Sequence, residues 1–445
     1  MKFIILDKPI QDQKLVTTLK TKNYSEIYFK NQTLLERLKN SLDDRFEFSY
    51  SKDEESLIRD DECIIWSSDI VYKDLRNQRL FLDKLFFSYG PYLWGNKKSF
   101  IFKGSYSDLV NYSAQTGNLE DFLFLINSFE TFQSLLDENL NTRFFNQIHK
   151  VSEKYIKKSK DVNKLKKEYE FLQCIPDDIK KYYISADSFE SNLEEAQYVM
   201  PKINFLDISK RHINGLLSKK DIDNLFNELT KYMDLVINLS FIKEGNEFNF
   251  IYEKTVERID EFRKLEVFIE LDTFIKNHTN FSGLEEVFEN LLNLLSLKKG
   301  SIKDKGSIFS HGDLCFSNIL ASDTFDRLVF VDPRGGSYKE SMRSIYYDFA
   351  KLSHSIMGNY DKIINDVAEI KFNNSMEAYI SYKTEDNKYL SQKFKNFISL
   401  YKLDISLVRL IEASLFLSML PLHSEDTRKM IMLALRGTEI LREFD

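Results

Sequence analysis

The segment Ser310-His311-Gly312-Asp313-Leu314-Cys315-Phe316-Ser317-Asn318 sets an aspartate five residues before an asparagine. Asp332 follows fourteen residues after Asn318, inside Val331-Asp332-Pro333-Arg334-Gly335. An H-x-D-x-x-x-x-N loop with a second aspartate at the end of the next strand suits phosphoryl transfer. One side chain accepts the proton of an attacking hydroxyl, and two oxygen donors hold a divalent cation against nucleotide phosphates. Between them lie Ile319-Leu320, a polar stretch from Ala321 to Arg327, and Leu328-Val329-Phe330-Val331. That pattern predicts a β-hairpin. Antiparallel pairing centred near Phe325 would return Asp332 beside Asn318. Asp313 is the candidate catalytic proton acceptor, and Asn318 and Asp332 are the candidate Mg²⁺ ligands. His311 is read as a brace for the loop rather than a reacting group. Arg334 could meet substrate or phosphate charge, or pair with a helix carboxylate such as Asp348.

Such a site also needs a lysine on the nucleotide phosphates and a carboxylate that holds it. Residues Asp161 to Gln173 read as an amphipathic helix with Val162, Leu165, Tyr169 and Leu172 on one face, Asp161 as its N-cap and Pro176 as a stop shortly after. Glu168 sits on that apolar face, where an unpaired carboxylate is costly, so a cationic partner is expected. The Lys-rich stretch His149 to Lys158 reads as a strand and supplies Lys157 or Lys158. Alternation groups Lys157 with Val151 and Tyr155, and Lys158 with Ile156. Lys157 is favoured, and the choice of inward face stays open. The other lysines of the segment read as a solvated basic face. Glu195 to Lys202 reads as an edge strand. Along Tyr252-Glu253-Lys254-Thr255-Val256-Glu257-Arg258 a solvated helix is the default, with Lys254 or Arg258 as possible contacts of the acceptor.

The elements that must carry these residues define an α+β protein. Residues 1–133 read as a small α/β domain, 134–205 as a small lobe, and 206–445 as a mostly helical large lobe. In the first domain Phe3 to Leu6, Cys63 to Trp66 and Ser99 to Lys103 read as strands of a mostly parallel sheet. Gln32 to Ser41 reads as a helix, with further helices near 119–128 and 130–138. The scarcity of glycine (14) and proline (6) argues against a turn-dense β architecture. A net charge of −7 with both signs interspersed argues against nucleic-acid binding. No apolar run reaches the ~18 residues of a membrane span. Three scattered cysteines, Cys63, Cys174 and Cys315, fit a reducing interior, and a cytoplasmic location is expected. No Walker-type or G-x-G-x-x-G loop occurs.

Taken in order, these motifs resemble the aminoglycoside phosphotransferase and choline kinase superfamily, whose fold is protein-kinase-like. The resemblance runs from near Arg143 to the C-terminus. It includes Tyr155-Ile156-Lys157-Lys158-Ser159, Glu168, His311 to Leu320, Val331 to Gly335, and Tyr347-Asp348-Phe349-Ala350-Lys351-Leu352. The closer match is to the branch in bacterial capsular or surface-polysaccharide biosynthesis. It implies ATP or GTP with Mg²⁺, Asp313 as catalytic aspartate, Asn318 and Asp332 as metal ligands, and Lys157 with Glu168 as the lysine–carboxylate pair. Met200 and Lys202 fall where the family's hinge meets the adenine. A small-molecule kinase acting on a hydroxyl of a sugar, polyol or amino alcohol is therefore expected. The alternatives are a nucleotide-binding pseudokinase or scaffold for a glycosyltransferase, and an antibiotic phosphotransferase. One departure is the absence of glycine between Arg143 and Lys157. The first 133 residues resemble, faintly, a shortened sugar nucleotidyltransferase without its glycine-rich loop, which implies a structural or substrate-presenting role.

Overall fold

The computed structural model describes residues 1–29, 32–52, 62–72, 82, 85–86, 91–95, 99–105, 108–109, 116–117, 123–129, 131–132, 146–151, 154–242, 247–303, 305–382 and 387–444. They fall into two units, Met1–Asn141 with Asn214–Leu216, and Thr142–Ile213 with Leu217–Asp445.

In the first unit six strands lie in the spatial order Glu47–Ser51, Lys2–Leu6, Cys63–Ser67, Phe100–Gly104, Tyr92–Gly95, Thr116–Gly117. Phe3, Ile5, Ile64, Trp66 and Ile101 pack on one face, and Leu6, Cys63, Ile65, Phe100 and Phe102 on the other. With both faces covered, the central strands read as apolar runs rather than as alternation. Helix Leu34–Lys39 starts at a capping box formed by Thr33 and Glu36. That is later than expected, because Gln32–Thr33 pairs with Tyr28–Phe29. The sheet is mixed rather than mostly parallel. Lys2–Leu6 pairs parallel with both neighbours, and Phe100–Gly104 antiparallel with both of its own. The connection between Tyr92–Gly95 and Phe100–Gly104 is too short for the crossover that parallel pairing requires. The helix expected over 119–128 is also corrected, since Leu123–Leu125 is a strand paired with Ile70–Tyr72. The boundary at 133–134 and most of the helix at 130–138 lie outside the described residues.

The second unit begins with a four-stranded antiparallel sheet in the order Asn146–Val151, Lys154–Ser159, Ala196–Pro201, Asp187–Ser191. The stretch read as one strand over His149–Lys158 belongs to two antiparallel strands, Asn146–Val151 and Lys154–Ser159. Residues Ala196–Pro201 form an inner strand, not an edge, because Asp187–Ser191 pairs on their far side. Helix Val162–Gln173 is capped by the Asp161 carboxylate, which accepts from the Lys164 backbone N–H, and turns Leu165, Glu168, Phe171 and Leu172 inward. The rest is mostly helical, built around the almost wholly buried helix Ile405–Ser418. Four short antiparallel pairings interrupt it among the described residues, the first between Leu206–Asp207 and Ile319–Ala321. Ile319–Ala321 pairs with Leu328–Phe330, Ser307–Phe309 with Met342–Ser344, and Ala368–Phe372 with Ala378–Tyr382. The last of these has no counterpart in the sequence reading. A small antiparallel sheet carrying one inward helix, followed by a mostly helical part interrupted by the hairpin Ile319–Phe330, is an α+β arrangement. No described helix is long and apolar enough to cross a membrane.

Candidate active site

The loop after Ser307–Phe309 is held by its own backbone. Asp348, buried on helix Ile345–Ile356, accepts the N–H groups of His311 (2.9 Å) and Gly312 (2.9 Å). Burial raises the pKa of that carboxyl, and these donors together with Ser310 oppose the rise. The His311 Nδ1 accepts the Asp313 N–H at 3.2 Å. Its Nε2 therefore carries the proton and donates to the Val331 carbonyl at 3.0 Å. One imidazole thus ties the loop to the strand that ends in Asp332. Burial brings His311 down to about 4, so it is neutral at physiological pH. Gly312 has φ +73°, and a Cβ there would lie 2.5 Å from the Arg334 carbonyl oxygen. Only glycine fits that turn without strain.

The hairpin pairs Ile319 with Phe330 and Ala321 with Leu328. The Val331 N–H then reaches the Asn318 carbonyl at 3.0 Å, so Asp332 emerges one residue beyond Asn318's strand partner. Asp332 has φ +57°, the left-handed region that aspartate tolerates better than most side chains. Its Oδ1 meets Lys157 Nζ at 2.5 Å, and Lys157 also meets Glu168 Oε1 at 2.6 Å. Lys157 is fully buried, whereas Lys158 is half-exposed beside Glu195. The inward face left open by alternation is thus Lys157's. Burial works against the ammonium, but Asp332 and Glu168 outweigh it and raise its pKa. Burial likewise opposes Asp332, and Lys157 prevails and keeps it below the usual carboxylate range. For Glu168 burial wins and its pKa rises, with Lys157 and the Tyr198 hydroxyl at 2.5 Å opposing. Phe171, one turn beyond Glu168, stacks on Phe309 at 4.8 Å. Aromatic packing thus links the Glu168 helix to the strand that leads into the Asp313 loop. Gly335 makes room for that ring, since a Cβ there would approach Phe171 to 2.5 Å.

Asp313 is met by Lys351 Nζ at 2.9 Å and Arg334 Nε at 3.3 Å. Arg334 therefore pairs with Asp313 rather than with Asp348, which the backbone occupies. Asn318 donates its side-chain N–H to the Asp313 carbonyl at 2.8 Å, which turns its amide oxygen the other way. An amide oxygen and a half-exposed carboxylate are hard donors of the kind Mg²⁺ takes alongside phosphate oxygens. The residues present therefore fit that ion. Met200 is buried opposite Tyr155 in the sheet, and Lys202 opens the connection into the helical part. Arg258 is held by Glu261 at 2.5 Å, and the side chain of this helix that reaches the loop's surroundings is Lys254, 2.8 Å from the Tyr347 hydroxyl. Lys351 and Arg343 were missed. Both are cations on segments buried nearly throughout, and that signal requires a partner. A surface depression of about 570 Å³ is lined by residues between Tyr252 and Lys264 and holds none of the candidate site residues. Its charged groups, Glu253, Glu257, Asp260, Glu261 and Lys264, come from one short stretch of chain, whereas those of a catalytic cleft converge from several elements.

No protein-family model and no curated protein matches the chain. Among solved structures, an aminoglycoside phosphotransferase from Streptomyces rimosus, in complex with ADP and streptomycin, aligns at 12% identity with a TM-score of 0.41. The alignment covers 66% of this chain and 97% of that one. A thermostable mutant of aminoglycoside phosphotransferase APH(4)-Ia aligns at 10% identity and TM-score 0.43, over 67% of this chain and 90% of its own. The ternary complex of such a mutant with AMP-PNP and hygromycin B aligns at 9% and 0.43, over 70% and 98%. Likeness at this level carries nothing about substrate.

Proposed function

We propose that the chain is an ATP-dependent kinase that transfers a phosphoryl group to a hydroxyl of a small molecule. The observation that carries this reading is the bridge from Lys157 to both Glu168 and Asp332. It brings a buried cation to the end of the hairpin that starts at the Asp313–Asn318 loop. Lys157, held in place by Glu168, would orient the nucleotide phosphates. Asp313 would accept the proton of the attacking hydroxyl as its oxygen bonds to the γ-phosphorus and the bond to the bridging oxygen of ADP breaks. Lys351 and Arg334 would offset the charge that gathers there. Mg²⁺, held by Asn318 and Asp332, would neutralise phosphate charge. Met200 and Lys202 would offer backbone groups to the base, and GTP could replace ATP. The acceptor is a sugar, polyol or amino alcohol, and the resemblance to the surface-polysaccharide branch favours glycan assembly. An antibiotic phosphotransferase would use the same machinery and differ in the charge of its acceptor.

The test is ATP turnover with Mg²⁺ across a panel of hydroxyl acceptors, with Asp313→Asn as control. Wild type should transfer phosphate, and the variant should lose at least ~10²-fold, the lower range for a removed general base. Nucleotide binding without transfer would support the pseudokinase alternative. Full rate in Asp313→Asn would reject the base assignment.

A further inference from the structure

We propose that the acceptor carries an oxyanion, a phosphate or carboxylate, in addition to its reacting hydroxyl. This rests on the phosphoryl-transfer reading of the same site and narrows its substrate class. Arg343, on the strand Met342–Ser344, is 8% exposed. Its Nε and Nη1 find no hydrogen-bond partner among the described residues. A Cβ on Gly312 would lie 2.8 Å from Nη1, so the guanidinium rests against the loop one residue before Asp313. A desolvated guanidinium with idle N–H groups is costly, and an oxyanion supplies the acceptors it lacks in a matching planar geometry.

A second cation borders the same place. Arg343 Cζ lies 5.0 Å and Lys254 Nζ 5.6 Å from the centre of the Phe250 ring. That ring packs edge-on against Tyr347 at 5.5 Å and is 37% exposed, so the ring bordering both cations reaches solvent. Burial would raise the Tyr347 hydroxyl's pKa, yet Lys254 and Lys351 hold it below the ordinary value, which gives the sign of the local field. The facing carboxylates are already engaged: Asp348 with two backbone N–H groups, Asp313 with Lys351 and Arg334. An acceptor entering here meets Arg343, Lys254, Lys351 and Arg334. A polycationic antibiotic would meet like charge, whereas a phosphorylated or carboxylated alcohol would meet its counter-ions.

Calorimetric titration of the full chain with MgAMP-PNP present tests this, using glucose 1-phosphate, glycerol 3-phosphate, glucuronate, glucose, glycerol and kanamycin. At least one anion should bind tenfold or more tighter than the neutral alcohols and kanamycin. Preference for the phosphates or for glucuronate identifies the oxyanion. Arg343→Gln and Lys254→Met should each weaken that anion at least tenfold, and Arg343→Lys should retain part of the affinity. Neutral or cationic ligands binding as tightly as every anion, or no anion binding at all, overturns the proposal. So do variants with unaltered thermal unfolding that bind the anion as wild type does. AMP-PNP affinity, titrated separately, reports on the kinase reading. Nucleotide binding without anion preference sinks the acceptor inference alone, and absence of nucleotide binding sinks the reading beneath it.

Discussion

Replacing Lys157 by methionine keeps most of its length and removes its charge. Glu168, 4% exposed, is then left with the Tyr198 hydroxyl at 2.5 Å as its hydrogen-bond partner among the described residues. A buried carboxylate without a counter-ion takes up a proton instead. Protonating an ordinary glutamate at pH 7 costs about 1.4 kcal/mol per unit over roughly 2.7 units, so the penalty is capped near 3.7 kcal/mol. That falls within the ~3–5 kcal/mol usual for breaking a buried pair. Asp332, with a side chain 40% exposed, can rehydrate and adds little. The sign is set by linkage. A carboxyl whose folded pKa is raised costs stability above its unfolded pKa, and the cost fades as pH falls. At pH 5 the cap shrinks to about 1 kcal/mol. Urea unfolding should be followed by far-UV circular dichroism, because both tryptophans, Trp66 and Trp94, belong to the N-terminal unit. Lys157→Met should lose about 3–4 kcal/mol at pH 7 and about 1 kcal/mol at pH 5. Adding Glu168→Gln should restore most of the loss at pH 7. A deficit constant between pH 5 and 7, or a double variant no more stable than the single, refutes the reasoning.

Gly312→Ala must hold φ +73° and press a methyl toward the Arg334 carbonyl, so it should destabilise by about 1–3 kcal/mol in thermal unfolding. Wild-type stability would show that the turn can relax. His311, neutral down to about 4 when folded, contributes stability above its unfolded pKa that is lost as pH falls through 6.5 toward 4. Over that window the group should remove roughly 3 kcal/mol from wild type. His311→Gln should flatten the stability–pH curve by a similar amount, and parallel curves for the two proteins would contradict the assignment.

Spacing made the hairpin legible. Turn-forming residues between Leu320 and Leu328 leave one short antiparallel register, and that register returns Asp332 to Asn318. The Asp161-capped helix was equally legible, because capping and 3.6-residue periodicity are local. Strand direction in the N-terminal sheet was not, since apolar runs carry no record of which neighbour they face. The strand Leu123–Leu125 was read as helix for the same reason, its partner lying some fifty residues away.

Local sequence thus determined which groups stand on the loop at Asp313 and which carboxylate needs a cation. Tertiary packing decided which cation answers. Lys157 rather than Lys158 is inward because helix Val162–Gln173 covers that face of the sheet, and Lys254 meets Arg343 and Lys351 around Asp313 and Tyr347 from a helix some ninety residues earlier in the chain. Burial and counter-charge are properties of space, and chain spacing records them only where both partners lie within one turn or one hairpin.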